Sequence, residues 1–214
     1  NNDQAESHSL ASVFVFDLFT DRIVAEFTGR TEFADDMHEI VRKLCLFYNG
    51  KVLYESNIKG CYSYMERMHS TYLLADTPQY LRDKQIIKYS GFGSSAKGVS
   101  ATAPVNNFAN RLIKDWFNKL VPIERTDEDG NKEIVQTPSL YLLKTRALIE
   151  EAIQFNPEIN VDRIRALGMV MLYREEYIVL YGNNLNKESR EKVRKDDPSN
   201  DPFFQRNYDF RFKQ

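Results

Sequence analysis

The segment Ser12–Phe19 reads Ser-Val-Phe-Val-Phe-Asp-Leu-Phe, and a turn and a second run of similar character follow it at once. β-Branched and aromatic residues this dense over so few positions predict a buried strand. Thr20-Asp21 supplies a tight turn, and Arg22–Gly29 (Arg-Ile-Val-Ala-Glu-Phe-Thr-Gly) predicts the antiparallel partner. Immediately afterwards the apolar period changes. Phe33, Met37, Ile40, Val41, Leu44 and Phe47 recur at helical spacing. Thr31 is the expected N-cap, and Asn49-Gly50 forms a stop suited to left-handed backbone. A chain that changes period so quickly has to cover a sheet with helices, which is the α/β class.

The alternation continues. Lys51–Glu55 predicts a second core strand, about Cys61 to Met68 a helix, and Thr71–Leu74 a further short strand. Residues 76–103 read as a loop-rich insertion, marked by Pro78, Gly91, Gly93, Gly98 and several serines. A helix resumes near Pro104, a residue suited to a first turn, with Leu112, Ile113, Trp116, Phe117 and Leu120 on its apolar face. Residues 121–137 carry Asp127-Glu128-Asp129-Gly130-Asn131 between apolar flanks and predict an exposed hairpin. Helices are expected from about Tyr141 to Phe155 and from Asp162 onward, the latter carrying Ile164, Leu167, Met171 and Leu172. Beyond Gly182 the chain turns polar and mixed in charge. The expected organisation is therefore one domain over 1–182 and a solvated extension over 183–214, with no internal repeat.

Composition narrows the function classes. Hydrophobic residues make up 42% and aromatics 13%, which excludes wholesale disorder. No apolar run approaches the roughly 20 residues that span a bilayer, so no membrane partner is expected. Asn1-Asn2-Asp3-Gln4 has neither a basic nor an apolar stretch, and no signal peptide is expected. Cys45 lies in an apolar helical stripe and Cys61 follows a glycine; two such residues build neither a disulfide framework nor a zinc cluster, and suit a reducing cytoplasm. With a formal charge of −2, any nucleic-acid contact must come from a local patch. Acidic residues concentrated elsewhere are what a divalent-cation site requires.

Two carboxylates stand out. Glu55 closes an apolar strand ahead of a polar, glycine-containing turn, at the carboxyl edge where ligand sites of α/β folds gather. By itself it also reads as an ordinary exposed strand-end glutamate. Asp162 opens a helix in Asn160-Val161-Asp162-Arg163-Ile164-Arg165-Ala166-Leu167-Gly168. Its simplest reading is a first-turn aspartate stabilised by free N–H groups and the helix dipole. Ala166 and Gly168 are small enough to let that helix approach a sheet closely, which would bring Asp162 over a strand end. Two-metal phosphodiester hydrolysis needs several such carboxylates to converge and hold two hard cations about 4 Å apart.

The segment Tyr54-Glu55-Ser56-Asn57-Ile58-Lys59-Gly60 resembles the strand-end Glu-x-Asn-x-x-Gly signature of the nuclease domain of tailed-phage large terminases. Phe47-Tyr48-Asn49 is similar to the helix end before that strand, and Val24–Arg30 to the family's second hairpin strand. Asn160–Leu167 resembles the last catalytic-Asp helix, most closely in its crAss-like phage form. The resemblance implies a ribonuclease H-like fold, a central mixed sheet flanked by helices. It implies a hydrolase that cuts concatemeric double-stranded DNA during genome packaging with two Mg²⁺ or Mn²⁺ ions. Partners would be the terminase ATPase domain, the small terminase and the portal, and the place of action the procapsid portal in the host cytoplasm. Glu55 and Asp162 inherit roles as catalytic metal ligands, and Asp3 resembles an accessory acid of the loop after the family's first strand. The family's first catalytic Asp is expected upstream of Asn1, which would impair this fragment. No Gly-x-x-x-x-Gly-Lys-Ser/Thr phosphate loop occurs, so the ATPase is not expected here.

Phosphate contacts are expected from Lys59 beside Glu55, from Arg163 and Arg165 around Asp162, and from Lys88 and Lys97 in the loop-rich stretch, where Lys84 is a further cation. Taken singly, each is also an ordinary solvated cation. Asp17 and Glu26 are expected to face solvent, and His8, His38 and His69 to be surface or satisfied residues. A catalytically weak docking or DNA-binding module, and a junction-resolvase-like enzyme, are the alternatives.

Overall fold

The computed structural model describes residues 10–57, 60–87, 97–126, 130, 132–155 and 161–181. The fold is mixed α/β. Strands β1 (Ala11–Asp17) and β2 (Arg22–Gly29) form the first hairpin, followed by helices α1 (Ala34–Phe47), α2 (Cys61–Arg67) and α3 (Gln79–Asp83). Helix α4 (Ala103–Asn118) leads into a second hairpin, β3 (Leu120–Thr126) and β4 (Lys132–Pro138), and helices α5 (Arg146–Ile153) and α6 (Asp162–Tyr181) close the order. Regular pairing among the described residues is confined to these two antiparallel hairpins. The chain separates into two compact units, Asn1–Arg174 and Glu175–Gln214. Of the second, only 175–181 are described, where the Tyr177 and Tyr181 rings lie 4.8 Å apart one turn along the helix. The expected extension over 183–214 lies outside the described residues.

Within the first hairpin, Ser12 pairs with Thr28 and Phe14 with Glu26, and the register shifts by a bulge between Val15 and Phe16. Asp21 takes a positive φ of 59° in the turn, as a short polar side chain tolerates. Phe14 is buried, so its cross-strand partner Glu26 shares the inward face. The expectation that Glu26 faces solvent is corrected on that ground.

Several other expectations shift. Helix α1 starts at Ala34, because the Thr31 hydroxyl donates to the Phe33 carbonyl oxygen at 2.7 Å and Asp36 accepts the Phe33 amide at 3.2 Å; Thr31 is not the N-cap. At its other end Asn49 adopts the left-handed conformation, φ 48°. The expected strand Thr71–Leu74 is a turn of 3₁₀ helix over Thr71–Leu73, since Leu74 N–H bonds Thr71 locally and only the end of the segment meets a neighbour. Lys51–Glu55 likewise makes bridges rather than a regular strand. Val52 pairs in parallel with Leu74, Glu55 in parallel with Val99, and Asp76 antiparallel with Lys97. Pro78 opens α3, a short helix inside the stretch read as loop, with Tyr80 and Leu81 buried. The helix expected from Tyr141 begins at Arg146, because Ser139 is tied through its amide (2.9 Å) and hydroxyl (3.0 Å) to the Lys119 carbonyl and 139–142 winds as 3₁₀.

Two apolar clusters organise the first unit. One gathers Leu53, Ala75, Tyr80, Leu81, Val99, Val105 and Phe108 with Met169 and Leu172; the other gathers Phe14, Ile113, Trp116, Leu148, Val161, Ile164, Leu167 and Met171. Leu81, Leu148, Leu167 and Leu172 are completely buried, each adding about 1.5–3 kcal/mol of transfer free energy. Helices α4 and α6 contribute to both clusters, and Leu112 packs against both. At their crossing a β-carbon on Gly168 would stand 3.2 Å from that of Ala109. Gly168 therefore serves a helix–helix approach, not the helix–sheet approach expected of it.

Candidate functional site

Glu55 grows from the first cluster. Its neighbour Leu53 is buried there, and its backbone is set by two bonds of 2.9 Å, Ser56 N–H to Val99 carbonyl and Val99 N–H to Tyr54 carbonyl. Gly98 makes that pairing possible. It sits at φ 75°, and a β-carbon there would lie 2.7 Å from the Tyr54 carbonyl oxygen and 2.8 Å from the Tyr54 ring. Asn57 secures the next turn, its side-chain oxygen accepting the Ala101 amide at 3.0 Å.

Asp162 grows from the second cluster, on the first residue of α6 between buried Val161 and Ile164. Its Oδ2 accepts the amide of Leu10, the residue that leads into β1. The free N–H at the head of α6 is served by another acid: Glu151 of α5 accepts the Ile164 amide at 2.8 Å. Asp162 is thus turned toward the hairpin.

Although Glu55 and Asp162 are far apart along the chain, the charge of Asp162 reaches Glu55. Burial pushes the Glu55 carboxyl above its ordinary range; the Arg165 guanidinium pulls it back down, and the Asp162 charge adds to the rise. Desolvation leads, and the charges of Arg165 and Asp162 oppose each other at Glu55. Asp3, Lys59 and Lys88 lie outside the described residues.

The remaining cation candidates are engaged within the fold. Lys97 pairs with Asp76 at 2.8 Å and donates to the Leu74 carbonyl at 3.1 Å, fastening the end of the loop-rich stretch to the bridged segments. Arg163 is 20% exposed and lies between Glu26 (3.0 Å) and Glu151 (3.5 Å). Arg165 is the described cation whose charge reaches Glu55. Asp17 accepts from the Phe19 amide (2.9 Å) and the Thr20 hydroxyl (2.6 Å) in the exposed turn. His38 is not satisfied as expected. Its Nε2 is buried without a hydrogen-bond partner among the described residues, and burial holds its pKa down. Both cysteines are free thiols, each pushed up to about 11 chiefly by burial.

Sequence reasoning missed Glu26 and Glu151. The signal for Glu26 was its register opposite Phe14, which becomes legible once the bulge is known. Glu151 carries no comparable signal, since its role depends on how α5 meets α6.

The donor chemistry at Glu55 and Asp162 suits a hard divalent cation, which takes carboxylate oxygens. Among the described residues, no group of three or more His, Cys, Asp or Glu side chains gathers to hold one. Nor is any described helix long and apolar enough to cross a membrane. Comparison with family models, curated proteins and solved structures finds no match in any of the three.

Proposed function

We propose that this chain is a divalent-metal-dependent DNA endonuclease domain of the ribonuclease H-like kind, similar to the nuclease of tailed-phage large terminases. The observation that carries the reading is the approach of Glu55 and Asp162. The two carboxylates come from separate elements beside separate apolar clusters, and the charge of Asp162 reaches Glu55. A raised carboxyl beside a second acid is a functional-site signature with a physical cause, because a bound cation relieves both the desolvation and the repulsion.

In this reading Glu55 and Asp162 hold Mg²⁺ or Mn²⁺, with Asp3 as the accessory acid that the family resemblance assigns. Bound cations supply the concentrated positive charge that phosphodiester hydrolysis requires. The chain's own residues orient the site. The Leu10 amide fixes one oxygen of Asp162, the Tyr54–Val99 pairing fixes the backbone of Glu55, and Arg165 offers a positive group to a DNA phosphate. The substrate is double-stranded viral DNA, and the partners are the packaging ATPase, small terminase and portal in the host cytoplasm.

The test is Mn²⁺-dependent nicking of supercoiled plasmid by the full chain. Asp162→Asn keeps an oxygen for the Leu10 amide and Glu55→Gln keeps the side chain's shape, so both are expected to fold and to cut at background level. Wild-type cleavage by either variant sinks the proposal. DNA retained without any Mn²⁺ binding identifies a docking module instead, and a strong preference for four-way junctions over linear duplex identifies a resolvase.

A further inference from the structure

We infer that Glu26, Arg163 and Glu151 form a positioning clamp that sets where Asp162 stands relative to Glu55. This inference rests on the metal-site reading above. The three charged side chains come from β2, α6 and α5, and their exposures are 13%, 20% and 14%. Arg163 Nε lies 3.0 Å from Glu26 Oε1, and its NH1 lies 3.5 Å from Glu151 Oε2. Both acids are themselves anchored. Thr28 Oγ1 donates to Glu26 Oε1 at 2.9 Å and shares a 2.8 Å hydrogen bond with Ser12 Oγ on β1. Glu151 Oε1 takes the Ile164 amide at 2.8 Å.

The effect is to hold the first turn of α6 from two sides. On one side the hairpin grips it twice, through Arg163–Glu26 and through the Leu10 amide on Asp162. On the other side α5 grips it twice, through Glu151 to Arg163 and Glu151 to Ile164 N–H. Asp162 immediately precedes the gripped residues Arg163 and Ile164 and is itself held by the Leu10 amide, so its backbone has little latitude about the helix axis. None of the three clamp residues is proposed to touch substrate or metal. Groups that orient metal ligands from behind change metal affinity more than they change fold. Largely desolvated ion pairs contribute little net stability but fix geometry, because removing one partner strands the other.

The experiment compares wild type with Glu26→Gln, Glu151→Gln and Arg163→Lys in three readouts: melting temperature, Mn²⁺ concentration for half-maximal cleavage, and cleavage rate at saturating Mn²⁺. Glu151→Gln keeps an acceptor for the Ile164 amide, and Arg163→Lys keeps the charge but loses the fork. The expected result is a half-saturating Mn²⁺ concentration raised about tenfold in each variant, with the saturated rate changed much less. Arg163→Gln combined with Glu26→Gln and Glu151→Gln is expected to recover part of the loss, since no charge of the clamp is then stranded. Unchanged half-saturation in an active set overturns the clamp, and so does a loss that simply follows melting temperature. If wild type itself neither cleaves nor binds Mn²⁺, the metal-site reading falls, and the clamp falls with it. Wild-type activity with indifferent variants removes the clamp alone.

Discussion

Glu55 holds the clearest electrostatic tension in the described structure. Its carboxyl keeps its proton to higher pH in the folded chain than in the unfolded chain, through burial first and the Asp162 charge after Arg165 has opposed it. Between those two values the folded state binds more protons, so stability falls as pH rises through the window. Above it, the ionised side chain weakens the fold in the absence of metal. Glu55→Gln is therefore expected to melt above wild type near neutral pH in chelator, with the gap closing as pH drops below the unfolded carboxyl's value. Thermal melts over a pH series read this directly, and a gap that widens on acidification contradicts it. Loss of cleavage together with gain of stability is the pattern expected of a site residue under strain. Sequence pattern marked Glu55 and Asp162 through their places at a predicted strand end and a helix start. The partners that fix them, Val99 and Leu10, could not be read in advance, because those pairings depend on long-range closure.

Elements were legible to the extent that their signals are local. Both hairpins follow from a turn between apolar runs, and α4 and α6 follow from periodicity and a first-turn Pro104 or Asp162. Lys51–Glu55 and Thr71–Leu74 share the composition of strands, yet a strand is defined by its partner. Here each partner is met at a bridge or two before the chain bends away. Gly98 is where that compromise is fixed. Its left-handed backbone and its contact with the Tyr54 carbonyl leave no room for a side chain, and the same carbonyl already accepts the Val99 amide. Gly98→Ala is expected to cost about 1–3 kcal/mol in urea unfolding and to lower cleavage by displacing the backbone under Glu55. A neutral substitution would show that the segment relaxes freely and that Glu55 does not depend on it.

The first unit is built as two apolar clusters with α4 and α6 common to both; Glu55 follows Leu53 of one, and Asp162 stands between Val161 and Ile164 of the other. The distance between the two acids is consequently set by how the clusters meet. Leu112 lies at that meeting, and Gly168 against Ala109 sets the helix spacing beside it. Leu112→Ala is expected to cost about 2 kcal/mol, the low end for a truncated core leucine because the residue is only partly buried. It should do so in a single transition. Two separable transitions in denaturant would mean that the clusters fold independently. Elsewhere the unit is laced by Asp21, which Arg174 and Lys119 both grip and whose carboxyl they hold down against the opposing effect of burial. That ties the tip of the first hairpin to the middle of α6, while Leu10 ties its root to the start of the same helix. A hairpin moored at both ends to one rod behaves as a strut. A shift of Leu10 is therefore passed directly to the oxygen of Asp162, which makes the root of the hairpin a lever on the acid.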